Sequence, residues 1–362
     1  MKKTKAKPFE TNTFLQPRVK RADVILFCRQ FSTMIDAGIN ITSCLEILHS
    51  QETSPRFKKI LSDIRNSVQS GQNFTEALKK HPEQFDDLFV SMIAAGEAGG
   101  SLDTILQKLS AYMEKSARLK ARVKGAMTYP VITMIVAVMI ISVIMVFVIP
   151  VFEQMFADFG SALPLITQLV VNISRFIRDM VFFITGAGIL FIFGFRRFYN
   201  SQKGRFAVDR LLLNLPVFGN MVRKVAVAGF AGTMSTMISN GVAILQALEI
   251  SSKTGGNKII ESAIYNAHQD VTQGNTLHDS LTQTGFFPDM VCQMVAVGEK
   301  TGSLDVMLGK IAVFYEEQVD QALENLTSAI EPIIMVFMGI LIGGLVLSMY
   351  IPIFKMAGAV GV

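Results

Sequence analysis

The sequence predicts an all-α membrane protein, with two homologous cytoplasmic helical-bundle domains plus three transmembrane helices. Three observations carry this. Only 17% of the 362 residues are charged while half are apolar, against roughly 25% charged in an ordinary soluble chain. The missing charge is concentrated in uninterrupted apolar runs, as lipid-spanning helices require. Elsewhere apolar residues recur every three or four positions, with no sustained period-two alternation bounded by hairpin turns, so the remainder reads as helix.

Residues 1–20 form a basic segment with no apolar h-region behind it, so it is expected to stay in the cytoplasm and not to be cleaved as a signal peptide. The first helical domain covers 21–128. Val24, Phe27, Phe31 and Met34, then Phe57, Ile60, Ile64 and Val68, then Leu102, Ile105, Leu109 and Tyr112 form helical stripes. Ser43 with Glu46 and Asn73 with Glu76 have the spacing of a capping box, Ser54-Pro55 suits N-cap and N1, and Gly38, Gly71 and Gly99-Gly100 suit helix ends.

The first transmembrane helix is expected at 129–151, where Val131 to Val151 carries no charge. Transfer scales favour inserting that run by about 4–8 kcal/mol. A short outer connection, 152–175, leads to a second transmembrane helix at 176–195. There the uncharged run Met180 to Phe195 must borrow Phe176 and Ile177, across Arg178 and Asp179, to reach bilayer thickness. The second helical domain covers 196–330, the third transmembrane helix 331–354, and an outer tail 355–362. Basic residues cluster before the first span, at Lys115 to Lys124, and after the second, at Arg196 to Arg210. Positive flanks stay inside, which puts the N-terminus in the cytoplasm and the C-terminus outside. These clusters read as topology signals and lipid-headgroup contacts, with no nucleic-acid partner.

The domain count rests on an internal repeat. Phe31 to Ile47, FSTMIDAGINITSCLEI, aligns with Met234 to Ile250, MSTMISNGVAILQALEI; after one residue is lost near His81-Pro82, Phe85 to Asp103 aligns with Phe287 to Asp305. The match runs on into the membrane, pairing Pro130 with Pro332 and Pro150 with Pro352. If both copies enter the bilayer from one side, one extra crossing must return the chain, and the Met180 to Phe195 run supplies it.

No catalytic set stands out. The chain lacks G-x-x-x-x-G-K-[ST] and H-E-x-x-H, its four histidines are scattered, and its cysteines, Cys28, Cys44 and Cys292, are far apart and odd in number. No enzyme activity, cofactor or metal is therefore expected. What is distinctive is G-E-x-x-G-S-L-D, present twice. Gly96, Gly100, Gly298 and Gly302 read as helix ends, with a serine cap following, and Asp103 and Asp305 lie in the next helix's first turn. Glu97 and Glu299 do not fit so easily, because an acid near a helix C-terminus is disfavoured by the macrodipole. Each needs a partner, either inside the lobe or on another protein. Pro130 and Pro332 read as bends where the soluble helix enters the bilayer, and Pro150 and Pro352 as its ends, with alignment of the lobes as the sharper role. Gly339 and Gly343 have the spacing that lets membrane helices pack closely, within or between chains.

The duplicated lobe with its A-G-I-x-I and N-G-V-x-I segments, the duplicated G-E-x-x-G-S-L-D and the R-V-K-G-A-M-T-Y-P entry into the first span together resemble the type II secretion F family. The resemblance runs from about residue 20 to the C-terminus. It implies a polytopic platform protein of the bacterial cytoplasmic membrane that serves type IV pilus assembly or type II secretion. The partners it implies are a cytoplasmic assembly ATPase, pilin or pseudopilin subunits, other inner-membrane assembly proteins, membrane lipids and further copies of the chain. The N-terminal segment is shorter here than in longer members. A small-solute permease or channel is the alternative, but it would need a polar pathway, and the first and third spans contain no ionisable residue.

Overall fold

The computed structural model describes residues 18–158, 165–215, 218–254 and 256–360. All regular structure among them is helical. The first copy of the repeat supplies α1 (Arg21–Asp36), α2 (Ile41–Gln51), α3 (Pro55–Gln69), α4 (Phe74–Lys79), α5 (Asp87–Gly99) and α6 (Leu102–Val143). A π-helical turn (Ile144–Val148) joins α6 to α7 (Ile149–Asp158), and α8 (Leu165–Asp179), α9 (Val181–Tyr199) and α10 (Gln202–Asn214) follow. The second copy then supplies α11 (Phe218–Ile238), α12 (Ile244–Thr254), α13 (Lys258–Thr272), α14 (Leu277–Gln283), α15 (Asp289–Thr301) and α16 (Leu304–Val360). From α2 with α12 to α6 with α16, each pair begins at the residues the sequence repeat aligns.

The chain divides into two compact units. One gathers the chain up to Leu119 with Val225–Gly256 and Ile260–Tyr315, so helices of both copies share it. Its core shows the repeat in side chains. In the first copy Phe27 packs on Phe31, Phe57 and Phe85 with ring centroids 5.5 to 5.8 Å apart. In the second, Phe230 meets Phe287 at 4.9 Å, and buried Met234 and Ile260 occupy the places of Phe31 and Phe57. Aliphatic side chains thus stand at two of the four aromatic positions of the first copy. The copies are joined by the Tyr112 and Thr233 hydroxyls at 2.7 Å and by the Lys253 ammonium donating to Asp87 at 2.9 Å, a bond that raises the Lys253 pKa.

Local caps follow the sequence at α3 but depart from it at α2 and at α4, where Asn73 makes no side-chain cap. Ser54 caps α3 with Pro55 at its first turn. The start of α2, however, is Asn40 and not Ser43: the Asn40 side chain accepts the Ser43 N–H at 2.8 Å. Asn is at least as good a cap as Ser and lies one turn earlier, so it takes the helix start.

The other unit gathers Lys120–Lys224, Asn257–Ile259 and the chain from Glu316 onward. Among the described residues, two helices are long and apolar enough to cross a membrane, Leu102–Met155 through the π-turn and Leu304–Ile351. Their apolar stretches leave side chains such as Ile132, Phe147, Ile340 and Leu347 exposed, a surface far larger than a water-soluble protein tolerates. The run expected at 176–195 falls on two helices: Phe176 and Ile177 belong to α8, and α9 starts after a break at Met180. α16 continues to Val360, through most of the expected 355–362 tail. The expected 1–20 segment and 152–175 connection lie partly outside the described residues.

All three cysteines are buried and unpaired. Burial pushes the Cys28 thiol up to about 12, with the nearby Glu114 carboxylate adding to the effect. Above the ordinary thiol range of about 8.5 the unfolded chain loses this proton while the folded one keeps it, so alkali between that value and about 12 should erode stability. Maleimide should label none of the native thiols in the folded protein from either membrane face, and all three after denaturation. Labelling of Cys28 in folded protein near neutral pH would contradict this burial.

Candidate functional site

The duplicated G-E-x-x-G-S-L-D segment builds the same corner twice. α5 ends at Gly99 with Gly100 in the left-handed region (φ 66°), and α15 ends at Thr301 with Gly302 likewise (φ 68°). The Ser101 N–H returns to the Gly96 carbonyl and the Ser303 N–H to that of Gly298, both at 3.0 Å. This is the reversal by which a left-handed residue closes a helix end. Gly96 and Gly298 then let the next helix come close. A Cβ on Gly298 would lie 2.9 Å from the Leu304 Cα, and one on Gly96 3.1 Å from the Ile105 side chain. Asp103 and Asp305 sit in the first turns of α6 and α16, where negative charge is favoured.

The partners that Glu97 and Glu299 need are backbone amides of their own lobe. The Glu97 carboxylate accepts the N–H of Phe74 at 2.7 Å and of Thr75 at 2.9 Å, together with the Thr75 hydroxyl. Glu299 accepts those of Leu277 at 2.7 Å and His278 at 2.9 Å. Each acid therefore leaves an unfavourable helix C-terminus for the amide-rich start of a short helix, α4 or α14. Asn73 makes no side-chain cap to α4, and Glu76 pairs with Lys79, whereas in the second copy Thr276 caps α14 by accepting the Asp279 N–H at 3.0 Å.

In the spans the prolines do not end their helices. α6 runs through Pro130 and α16 through Pro332 and Pro352, while Pro150 lies in the first turn of α7. A proline donates no N–H, so each leaves a carbonyl upstream without its helical partner. In the π-turn the carbonyl five residues back is the one affected, and for Pro150 that is Met145. The Ser174 hydroxyl donates to it. In the regular register of α16 the residue four back from Pro352 is Ser348, and the Thr167 hydroxyl donates to its carbonyl at 2.5 Å. Both donors lie on α8, two turns apart, with Thr167 5% and Ser174 0% exposed. Val171, between them, packs with Met145, Ile149 and Leu345. Gly339 and Gly343 have no atom of the described chain within 4 Å of a Cβ built on either, so their spacing serves no packing within the chain there.

Sequence reasoning missed Thr167 and Ser174, and also Asp209. The latter is 2% exposed on α10 and accepts the Lys258 N–H at 2.7 Å and the Tyr199 hydroxyl at 3.3 Å. The available signal was an Arg205 four residues before it, which pairs with it at 3.9 Å. Among the described residues no group of three or more His, Cys, Asp and Glu could hold a metal ion.

The family model for type II secretion system protein F matches the chain twice, over residues 27–150 and 230–352, one match per copy of the repeat. The chain is 48% identical over 342 residues to a type IV pilus assembly protein PilC of Myxococcus xanthus, covering 94% of this chain and 82% of that one. It is 40% identical to the type IV pilus assembly protein PilC of Pseudomonas aeruginosa (95% and 92% covered). To the type II secretion system protein F of the same organism it is 31% identical (94% and 84% covered).

Replacing Glu97 or Glu299 by Ala removes two charge-assisted bonds to backbone amides and should cost about 2–4 kcal/mol, read as a lowered unfolding midpoint of detergent-solubilised protein; Gln should lose less. Gly298→Ala should destabilise more than Gly96→Ala, because the added Cβ would lie 2.9 Å from the Leu304 Cα against 3.2 Å from the Leu102 Cα. Ser174→Ala leaves a buried carbonyl unpaired and should cost about 1–3 kcal/mol. A neutral Ser174→Ala in the same assay would remove the hydroxyl from the account.

Proposed function

Because the chain belongs to the type II secretion system protein F family, we propose that it is the inner-membrane platform of a bacterial type IV pilus assembly machine. In this reading it couples a cytoplasmic assembly ATPase to the insertion or extraction of pilin subunits. One observation carries the choice of pilus over secretion. Within one organism, Pseudomonas aeruginosa, the pilus assembly protein is the nearer relative by nine percentage points, 40% against 31%.

The topology that goes with this function has three crossings. The helix through α6, the π-turn and α7 leaves the cytoplasm, α9 returns, and α16 leaves again. Support for α9 comes from its side chains, since Phe182, Leu190, Phe191, Phe195, Ile192 and Ile189 are exposed and together go around its whole circumference. A helix apolar on every side belongs in lipid. Its basic end, Arg196 and Arg197, and the basic end of α6 then share the cytoplasmic side, as the distribution of Lys and Arg requires. The unit that holds both G-E-x-x-G-S-L-D corners faces the ATPase. Both α6 and α16 start at such a corner and run without interruption into an apolar span, so a displacement imposed at a corner has a helical path into the bilayer.

Deleting the gene and assaying surface fibres and secreted proteins together tests the reading: fibres should be lost while type II secretion persists. Loss of secretion with fibres intact would reassign the protein to the secretion branch of the family. A Glu97→Ala, Glu299→Ala double variant that still inserts should assemble markedly fewer fibres, and wild-type fibre numbers would confine the corners to stability.

A further inference from the structure

α8 is pinned at the level of the hydrocarbon and has three distinct faces. One face lies on the spans through Thr167, Val171 and Ser174. Its two carbonyl contacts fall at matching depths, because the repeat aligns Ser348 with Val146, one residue from Met145. Counted from Val131 and Ile333, where the two apolar runs begin, these contacts lie about 21–23 Å along the helix, inside a hydrocarbon core of about 30 Å. The two hydroxyls are seven residues apart on α8, about 10.5 Å of helix rise, which matches the usual 8–10 Å between packed helix axes. α8 therefore crosses the two repeat-related spans near their far ends.

A second face is polar. Gln168, Asn172, Arg175 and Asp179 recur at helical spacing on one arc, and Arg175 Nε donates to Glu153 of α7 at 2.7 Å. The third face is an apolar stripe of Leu165, Leu169, Ile173 and Phe176, with Leu165 86%, Leu169 59% and Phe176 61% exposed. A helix with one polar arc beside a broad apolar one, held at the edge of the hydrocarbon, has the build of an interfacial helix.

We propose that the Leu165, Leu169, Ile173 and Phe176 stripe is seated in the acyl chains of the outer leaflet, so that α8 is a lipid-embedded strap across the two repeat-related spans. The occupant is lipid because the stripe continues the exposed apolar surface of the spans at the same depth, while the polar arc that borders it supplies the face toward water. The inference rests on the proposed three-crossing topology, which places α8 on the outer side.

The chain contains no tryptophan, so a single introduced one reports its surroundings without background. Leu169→Trp, with Leu165→Trp as a second variant, should be quenched by phosphatidylcholine brominated on its acyl chains and shielded from aqueous iodide, in the full-length protein reconstituted in vesicles. Asn172→Trp should show the reverse. Quenching of both stripe variants by iodide and not by bromine would overturn the proposal. So would protection from both quenchers, which would mean that protein covers the stripe. Sidedness is read separately: Asn172→Cys should react with an impermeant maleimide in intact spheroplasts. Reaction only after lysis would overturn the topology itself, and the strap with it.

Discussion

A carboxylate that links the end of one helix to the start of another is the contact on which each lobe turns. Glu97 and Glu299 stand where the helix field opposes a negative charge, and each is held there by two amide N–H groups from a helix 21 to 23 residues earlier. The bonds satisfy donors that a six- or seven-residue helix cannot satisfy internally, so α4 and α14 depend on the acids as much as the acids depend on them. Around this contact the glycines do separate work. Gly100 and Gly302 supply the left-handed turn, and Gly96 and Gly298 the close approach that seats the first turn of α6 or α16. An alanine would be strained at the first pair and crowded at the second. The motif is thus a way of starting a long helix from a fixed place, built twice.

The same rule, that no backbone group is left unpaired away from water, governs the membrane part under harsher terms. A soluble helix broken by proline can turn its freed carbonyl to water, but in hydrocarbon the partner must come from protein. The two copies meet this differently. In the first, the helix widens into a π-turn before Pro150; in the second, α16 keeps its α-helical register through Pro352. Different carbonyls are opened, Met145 in one and Ser348 in the other, and α8 presents one hydroxyl to each. α8 is present once, so a single helix serves both spans, through Ser174 at one point along its length and Thr167 two turns away.

Much of this was legible in the sequence and some of it could not be. The repeat was visible because both copies keep their glycines and their corner motif. The first and third apolar runs were visible because a charge-free stretch of bilayer length would be insoluble anywhere but in lipid or a very large core. The partner of Glu97 was not, because the need for one is local but the amides that meet it, at Phe74 and Thr75, carry no side-chain signature. Thr167 and Ser174 were invisible for a related reason. A hydroxyl on an amphipathic helix looks like any surface hydroxyl until a proline elsewhere is known to have opened a carbonyl in front of it. Ser43 misled because it has the residue type and spacing of a cap, while Asn40, a turn earlier, had the stronger claim. The boundary at Phe176 misled because hydropathy sums across a break: α8 and α9 are both apolar enough to be counted together, although Met180 separates them.

In the two repeat-related spans the placing of compliance matters more than its amount. α6 and α16 each contain a proline at the entry to the apolar run, Pro130 and Pro332, and a second lies near the far end of each run. Every such residue removes one helical hydrogen bond and so marks a point where the helix deforms most easily. At the far end that softness is countered, since α8 restores a bond to a freed carbonyl in each span and packs Val171 between Met145, Ile149 and Leu345. Each span is therefore softest at the proline that opens its apolar run, Pro130 or Pro332, and is tied to its counterpart through α8 near the other end of that run.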